Sequence, residues 1–197
     1  MMGASILASK SCLRTGTGLV TSLIPDVGYD IIQISLPEAI VLTGYGESYL
    51  SSARISLNKY SSIGIGIGMG NNENTYAFLK EVLEKIKIPM VLDADALNII
   101  SEHNELLDNI PEYSILTPHP GEFARLFGAS INGFDRIELQ RSMAIKYKIF
   151  IVLKGKYTST ACPDGNIFFN SSGNAGMVIA VWRCSNRNYH FFACSGL

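Results

Sequence analysis

The sequence predicts an α/β domain whose central sheet is mostly parallel and covered by helices on both faces. Three observations carry this. Short apolar runs alternate with amphipathic helical patterns through most of the 197 residues, which is the signature of β-α-β units. The runs read as nearly continuous Val, Ile and Leu, as expected of strands buried on both faces. Glycine and polar clusters fall just after the runs, where open parallel sheets bind ligands.

The elements follow in order. Gly3 to Arg14 has apolar residues at Ile6, Leu7, Cys12 and Leu13 and reads as a helix ending near Gly16 and Gly18. Leu19 to Ile24 is a short apolar strand closed by Pro25 and Asp26. Tyr29 to Leu36 is helical and stops before Pro37. Ala39 to Thr43 and the glycine-interleaved Ser62 to Ile67 are further strands. Asn72 to Lys87 is the strongest helix, with Tyr76, Leu79, Val82, Leu83 and Ile86 at helical spacing. Met90 to Leu92 and Ser114 to Thr117 are strands, Phe123 to Phe127 and Arg136 to Lys148 helices, and Phe150 to Leu153 a strand. Thr158 to Ala161 and Ile167 to Phe169 flank Asp164-Gly165, a hairpin turn.

Composition narrows the function classes. Hydrophobic residues make up 47% of the chain, charged residues 17%, and the net charge is −1. Such a chain can bury a core and is not a disordered one. It has no basic excess for an electrostatic nucleic-acid footprint. Four cysteines without a C-x-x-C give neither a zinc site nor a disulfide framework, and a reducing cytoplasm is the expected setting. No secretory leader, myristoylation pattern or membrane-spanning run is found, so neither membrane nor nucleic acid is an expected partner.

Four segments could carry chemistry. Gly64 to Gly70 supplies glycines between a strand and a helix. It reads either as an anion-binding loop or as a tight turn. Asp93-Ala94-Asp95-Ala96-Leu97-Asn98 places two carboxylates at a strand end, and Asp95 reads as the cap of the next helix. Thr117-Pro118-His119-Pro120-Gly121-Glu122 presents His119 on a stiff turn, which favours a site role over a structural one. Lys154-Gly155-Lys156-Tyr157-Thr158 suits a phosphate, or else is a hairpin turn. His103 reads as an exposed bystander.

In this order the segments resemble the ADP/ATP-dependent NAD(P)H-hydrate dehydratase family. The matching pieces are Met2-Gly3-Ala4-Ser5, Arg14 to Thr21, Pro37-Glu38-Ala39, Gly66 to Gly70, Leu92 to Asn98, Leu116 to Glu122, Val152 to Gly155 and Asn170 to Met177. The resemblance implies a ribokinase-like three-layer α/β/α fold with a mostly parallel central sheet, incomplete at both termini. It implies that a nucleotide, ADP or ATP with Mg²⁺, phosphorylates the hydrate's hydroxyl, after which phosphate leaves and NADH or NADPH is restored. By carry-over, Ala4, Gly68 and His119 would contact the hydrated dinucleotide, with Asp93 and Asn98 lining the site. Lys154, Gly155, Lys156, Tyr157 and Thr158 would hold the adenine nucleotide. A homo-oligomer is implied as well. No metal ligand is assigned.

Two departures from the family accompany the resemblance. The family has a strand and glycine loop ahead of Met2-Gly3-Ala4, and here the chain starts at Met1. After Met177 the family continues into a glycine-rich turn ending in Gly-Asp, whose Asp contacts the reacting hydroxyl. This chain reads Val178 to Leu197 without any Asp, so no catalytic residue is assigned. Codons permitted for Trp182 to Gly196, read after dropping their first base, translate as Gly-Asp-Val-Leu-Thr-Gly-Ile-Ile-Thr-Ser-Leu-Leu-Ala-Gln. The expectation is therefore a partial dehydratase domain over residues 1–177 and an aberrant, frameshifted tail over 178–197. Such a chain should be nearly inactive and prone to aggregate. The alternatives are a ribokinase-like vitamin-precursor kinase and a catalytically dead nucleotide-binding remnant.

Overall fold

The computed structural model describes residues 2–44, 50 and 60–171, and the backbone of 181–182 and 191–192. The chain order is α1 (Met2–Arg14), β1 (Thr21–Ile24), α2 (Tyr29–Ser35), β2 (Ile40–Thr43), β3 (Ile63–Ile65), α3 (Glu73–Lys85), β4 (Met90–Leu92), α4 (Asp95–Glu102), β5 (Ile115–Leu116), α5 (Pro120–Phe127), α6 (Gly133–Tyr147), β6 (Phe150–Leu153), β7 (Thr158–Ala161), β8 (Ile167–Asn170), β9 (Val181–Trp182) and β10 (Phe191–Phe192). Most of the tail from Val178 onward lies outside the described residues. Its β9 and β10 form an antiparallel pair.

Six strands form one sheet in the order β3-β4-β5-β6-β7-β8, parallel from β3 to β6 and antiparallel from β6 to β8. The four parallel strands therefore end on one edge of the sheet, and their following loops gather there. The first two strands form a separate parallel sheet, β1-β2. The hairpin expected around Asp164-Gly165 is present, with Gly165 at φ +84° and Thr158 paired to Asn170.

Local chemistry explains the boundaries. Asn72 starts α3 with a capping box: its side chain accepts from the Asn74 and Thr75 amides, and the Thr75 hydroxyl accepts from the Asn72 amide. The buried face of that helix is Phe78, Leu79, Val82 and Leu83, and all four belong to the main core. Gln140 of α6 is fully buried, yet it is satisfied. Its Nε2 donates to Ile151 O (2.8 Å) and Ser159 O (3.1 Å), and its Oε1 accepts from Ser159 Oγ (2.7 Å). This amide staples α6 across β6 and β7, since an unpaired group here would cost the desolvation of each partner.

A second, smaller core holds Ile24, Ile32, Leu36 and Ala39, flanked by Met2, Ile6, Leu13 and Val41. It joins α1, α2 and the β1-β2 sheet. Ser9 of α1 and Ser22 of β1 share a 2.7 Å hydroxyl bond that fixes the helix over the strand.

Candidate functional site at the carboxyl ends of the parallel strands

Gly66 follows β3, Asp93 follows β4, His119 follows β5 after two residues, and Lys154 follows β6. The sheet thus brings four sequence-predicted segments to one edge, and their contacts are specific. Gly66 adopts φ +119°, and a Cβ there would collide with the Asp93 carbonyl oxygen and the Ala96 side chain. Only glycine allows this approach. The glycine loop is also tied to the aspartate turn further on, because Gly70 N donates to Asp95 Oδ2 at 2.8 Å. Gly68 lies in the turn between them at φ +67°.

Asp95 is not the cap of α4. Ala94 occupies that position with φ +48° and ψ −118°, and Asp95 is the first helical residue. Its carboxylate reaches across to the Gly70 amide instead, an acid at a helix N-terminus that holds a second loop.

Asp93 is buried and pairs with Lys154 at 2.7 Å between Oδ1 and Nζ; both side chains are more than nine-tenths buried. Asp93 Oδ1 also accepts from the Ala94 amide at 2.9 Å. The second oxygen, Oδ2, is buried with no hydrogen-bond partner. Lys154 is therefore committed to a carboxylate, while Gly155, Lys156 and Tyr157 are exposed on the β6-β7 hairpin. Lys156 Nζ sits 5.2 Å from the centre of the Tyr157 ring, and Thr158 Oγ1 donates to Gly155 O at 3.1 Å. The loop is a hairpin turn and a presentation of cation and ring at once.

His119 caps α5. Its Nδ1 accepts from Gly121 N (3.0 Å) and Glu122 N (3.2 Å), and Glu122 Oε2 accepts from His119 N (2.8 Å). This is a capping box with a histidine in the Ser or Thr role, followed by Pro120 at the first helical position. With Nδ1 accepting, the proton of the neutral ring lies on Nε2, which stands 3.5 Å from Glu122 Oε1. The cap gives His119 a structural role and leaves its side chain half exposed.

Asn98 lies one turn into α4 and accepts from Arg125 of α5 at 2.6 Å. Ala4 is half-buried on α1, in the part of the molecule built on the smaller core. His103 is half-exposed rather than fully exposed, and its ring stacks on Tyr76 at 4.0 Å. Sequence reasoning missed Arg125 and Gln140. Both are mid-helix polar residues whose partners come from other elements.

No group of three or more His, Cys, Asp or Glu side chains suited to a metal exists among the described residues. No helix among them is long and apolar enough to cross a membrane.

Comparison with known proteins gives these features a context. A family model described as NAD(P)H-hydrate dehydratase matches residues 1–180. An ADP-dependent (S)-NAD(P)H-hydrate dehydratase of Neisseria meningitidis is 37% identical over 188 residues, 91% of this chain and 60% of the relative. A bifunctional NAD(P)H-hydrate repair enzyme of Moorella thermoacetica is 32% identical over 189 residues, 91% of this chain and 36% of the relative. The crystal structure of the ADP/ATP-dependent NAD(P)H-hydrate dehydratase of Bacillus subtilis, co-crystallised with ATP and Mg²⁺ and soaked with CoA, superposes with a TM-score of 0.70 and 31% identity. That match covers 88% of this chain and 62% of the other. The chain spans less than two thirds of each of these relatives. Its fold is ribokinase-like α/β with a mostly parallel central sheet, and with the family model matched over nearly its whole length, the chain belongs to the NAD(P)H-hydrate dehydratase family.

Proposed function

We propose that the strand-end site serves the ADP-dependent dehydration of (S)-NAD(P)H hydrate, a hydro-lyase reaction that restores NAD(P)H. The observation that carries this reading is the cluster of Gly66 to Gly70, Asp93, Asn98, His119 and Lys154 on one sheet edge, in a chain of this family. The names of the Neisseria and Bacillus relatives supply the substrate and the nucleotide.

Each group has a job that its geometry supports. Gly68 and the positive-φ backbone around it let a dinucleotide approach main-chain amides. His119 offers only a donor, its Nε2–H, because Nδ1 is occupied by the helix cap. It therefore suits an acceptor atom of the substrate. Asn98, held by Arg125, and Ala4 complete the substrate contacts. Gly155, Lys156, Tyr157 and Thr158 receive the adenine nucleotide, with Lys156 free to meet phosphate and the Tyr157 ring to stack. Lys154 acts through Asp93 and fixes its orientation. Mg²⁺ is usually held by one or two carboxylates plus the nucleotide's phosphates. Asp93 Oδ2, buried without a partner, fits that requirement. The metal would offset phosphate charge during transfer.

We read residues 1–177 as this domain, in part, and 178–197 as a tail that departs from the family. The Asp that the resemblance implies after Met177 is not present in that tail, which contains no Asp. Losing an acid–base group costs about 10²–10⁴ in rate, and losing an anion hole roughly 10²–10³ more. The expected result is nucleotide binding with little turnover. Incubation with NADH hydrate, Mg²⁺ and either ADP or ATP, followed by reduced-nicotinamide absorbance, tests the activity, and calorimetric titration with ADP tests the binding. Absence of ADP binding by a folded chain would overturn the reading. Resequencing the DNA for Gly173 to Leu197 tests the tail: codons that do not permit the Gly-Asp frame would remove the frameshift explanation.

A further inference from the structure

Arg125 sits in the middle of α5, yet its head group lies over the start of that helix. Helical side chains lean back toward the N-terminus and cover the preceding turn. A Cβ built on Gly121, in the first turn, would lie 2.9 Å from His119 Cε1 and 3.7 Å from Arg125 Nη1. The imidazole and the guanidinium therefore flank the bare backbone of Gly121. The other arm of the fork is anchored on a second helix, where Arg125 Nη2 donates to Asn98 Oδ1 of α4 at 2.6 Å. Arg125 thus bridges α4 and α5 on the sheet edge that carries Asn98 and His119.

The cation is held in place but not neutralised. Ion pairs among the described residues engage Lys85, His103, His119, Lys148 and Lys154, and Arg125 is in none of them. Its side chain is exposed. One tether to a neutral amide restrains the guanidinium and leaves its Nε and Nη1 donors for a ligand. The start of α5 cannot offer an anion its own first amides, because Gly121 N and Glu122 N already donate to His119 Nδ1. Side chains must supply the donors there. His119 gives one, its Nε2–H, and the guanidinium gives the rest. Glu122, the acid beside them, is buried, with Oε2 committed to the His119 amide.

We propose that Arg125 binds a phosphate group of the hydrated dinucleotide, beside His119, and so fixes where that substrate lies along the strand-end edge. A planar fork of donors matches phosphate oxygens in geometry and charge. The dinucleotide offers such oxygens on its pyrophosphate and, in the NADPH form, on the ribose 2′-phosphate. The inference rests on the dehydratase reading above and adds the group that meets the substrate's charge.

The test titrates the whole chain by calorimetry with (S)-NADPH hydrate, (S)-NADH hydrate and ADP. Arg125→Gln is expected to weaken binding of (S)-NADPH hydrate by about 10- to 100-fold, the range of a hydrogen bond to a charged group. ADP binding should be unchanged, and Arg125→Lys should recover part of the loss because it keeps the charge. A loss shared by both hydrates assigns the fork to the pyrophosphate, and a loss confined to (S)-NADPH hydrate assigns it to the 2′-phosphate; either supports the proposal. Phenylglyoxal labelling of the unaltered chain needs no variant. Bound (S)-NADPH hydrate should protect Arg125 and leave Arg141, which packs beside Gly165 at the β7-β8 turn, as reactive as before. Undiminished hydrate binding by Arg125→Gln, an equal loss of ADP affinity, or an unprotected Arg125 would overturn this inference alone. A folded, unaltered chain that binds neither hydrate would overturn it together with the dehydratase reading.

Discussion

The two sheets of this molecule share a sequence style but not a degree of burial. In the larger one, Leu97, Ile99 and Ile100 of α4 are wholly enclosed in the main core. In the smaller one, α2 buries Ile32 but leaves Ile34 82% exposed and Ile31 44% exposed. Both segments are apolar in sequence. What separates them is how many other elements close over each face. Stability is therefore expected to be uneven, with the β1-β2 unit opening at lower free energy than the main sheet.

The largest effect should come from the buried ion pair. Lys154→Ala leaves the Asp93 carboxylate enclosed without its cation, and one-sided removal of a buried pair typically costs about 3–5 kcal/mol. Urea melts followed by circular dichroism should show the loss. A change under about 1 kcal/mol would mean that water reaches Asp93 and the pair is not truly enclosed.

A matched pair of truncations sharpens the contrast between the sheets. Leu97→Ala is expected to cost about 2–5 kcal/mol and to raise exchange throughout β3 to β6. Ile32→Ala removes a similar side chain from the smaller core, and its effect should be confined to exchange in α1, β1, α2 and β2. Equal acceleration in both halves by either variant would show that the two sheets unfold as one unit.

The smallest effect tests the boundary of a single helix. Asn72→Ala removes the acceptor for two amides of α3 and should cost about 1 kcal/mol. Because α3 packs on the main core, this loss should appear in the global melt.

Much of this was legible in the sequence because the signals were local. The predicted strands Met90 to Leu92 and Phe150 to Leu153 match the structure residue for residue, since Pro89 and Lys154-Gly155 punctuate them. The hairpin at Asp164-Gly165 was equally local. The parallel sheet and the grouping of four segments at its strand ends followed from the alternation of strands and helices, while the ribokinase-like architecture came from the family resemblance. What stayed hidden depends on partners far away in the chain. Lys154 reads as a phosphate ligand until Asp93, 61 residues earlier, is seen to hold it. Asp95 reads as a cap until Gly70 takes its carboxylate. His103 looks exposed until Tyr76 of α3 covers its ring. Expectations for the tail beyond Met177 fall almost wholly outside the described residues.

Ala94 carries a further consequence. Its φ of +48° is a glycine's conformation borne by an L-residue, and such backbone strain costs on the order of 1–3 kcal/mol. The tension is held by the enclosed helix that follows it, through Leu97, Ile99 and Ile100. Any agent that loosens this helix lets the turn spring back first and swings the neighbouring Asp93 out of alignment. Ligand affinity should then fade at lower denaturant than the sheet itself, so that the protein fails as a receptor before it fails as a fold.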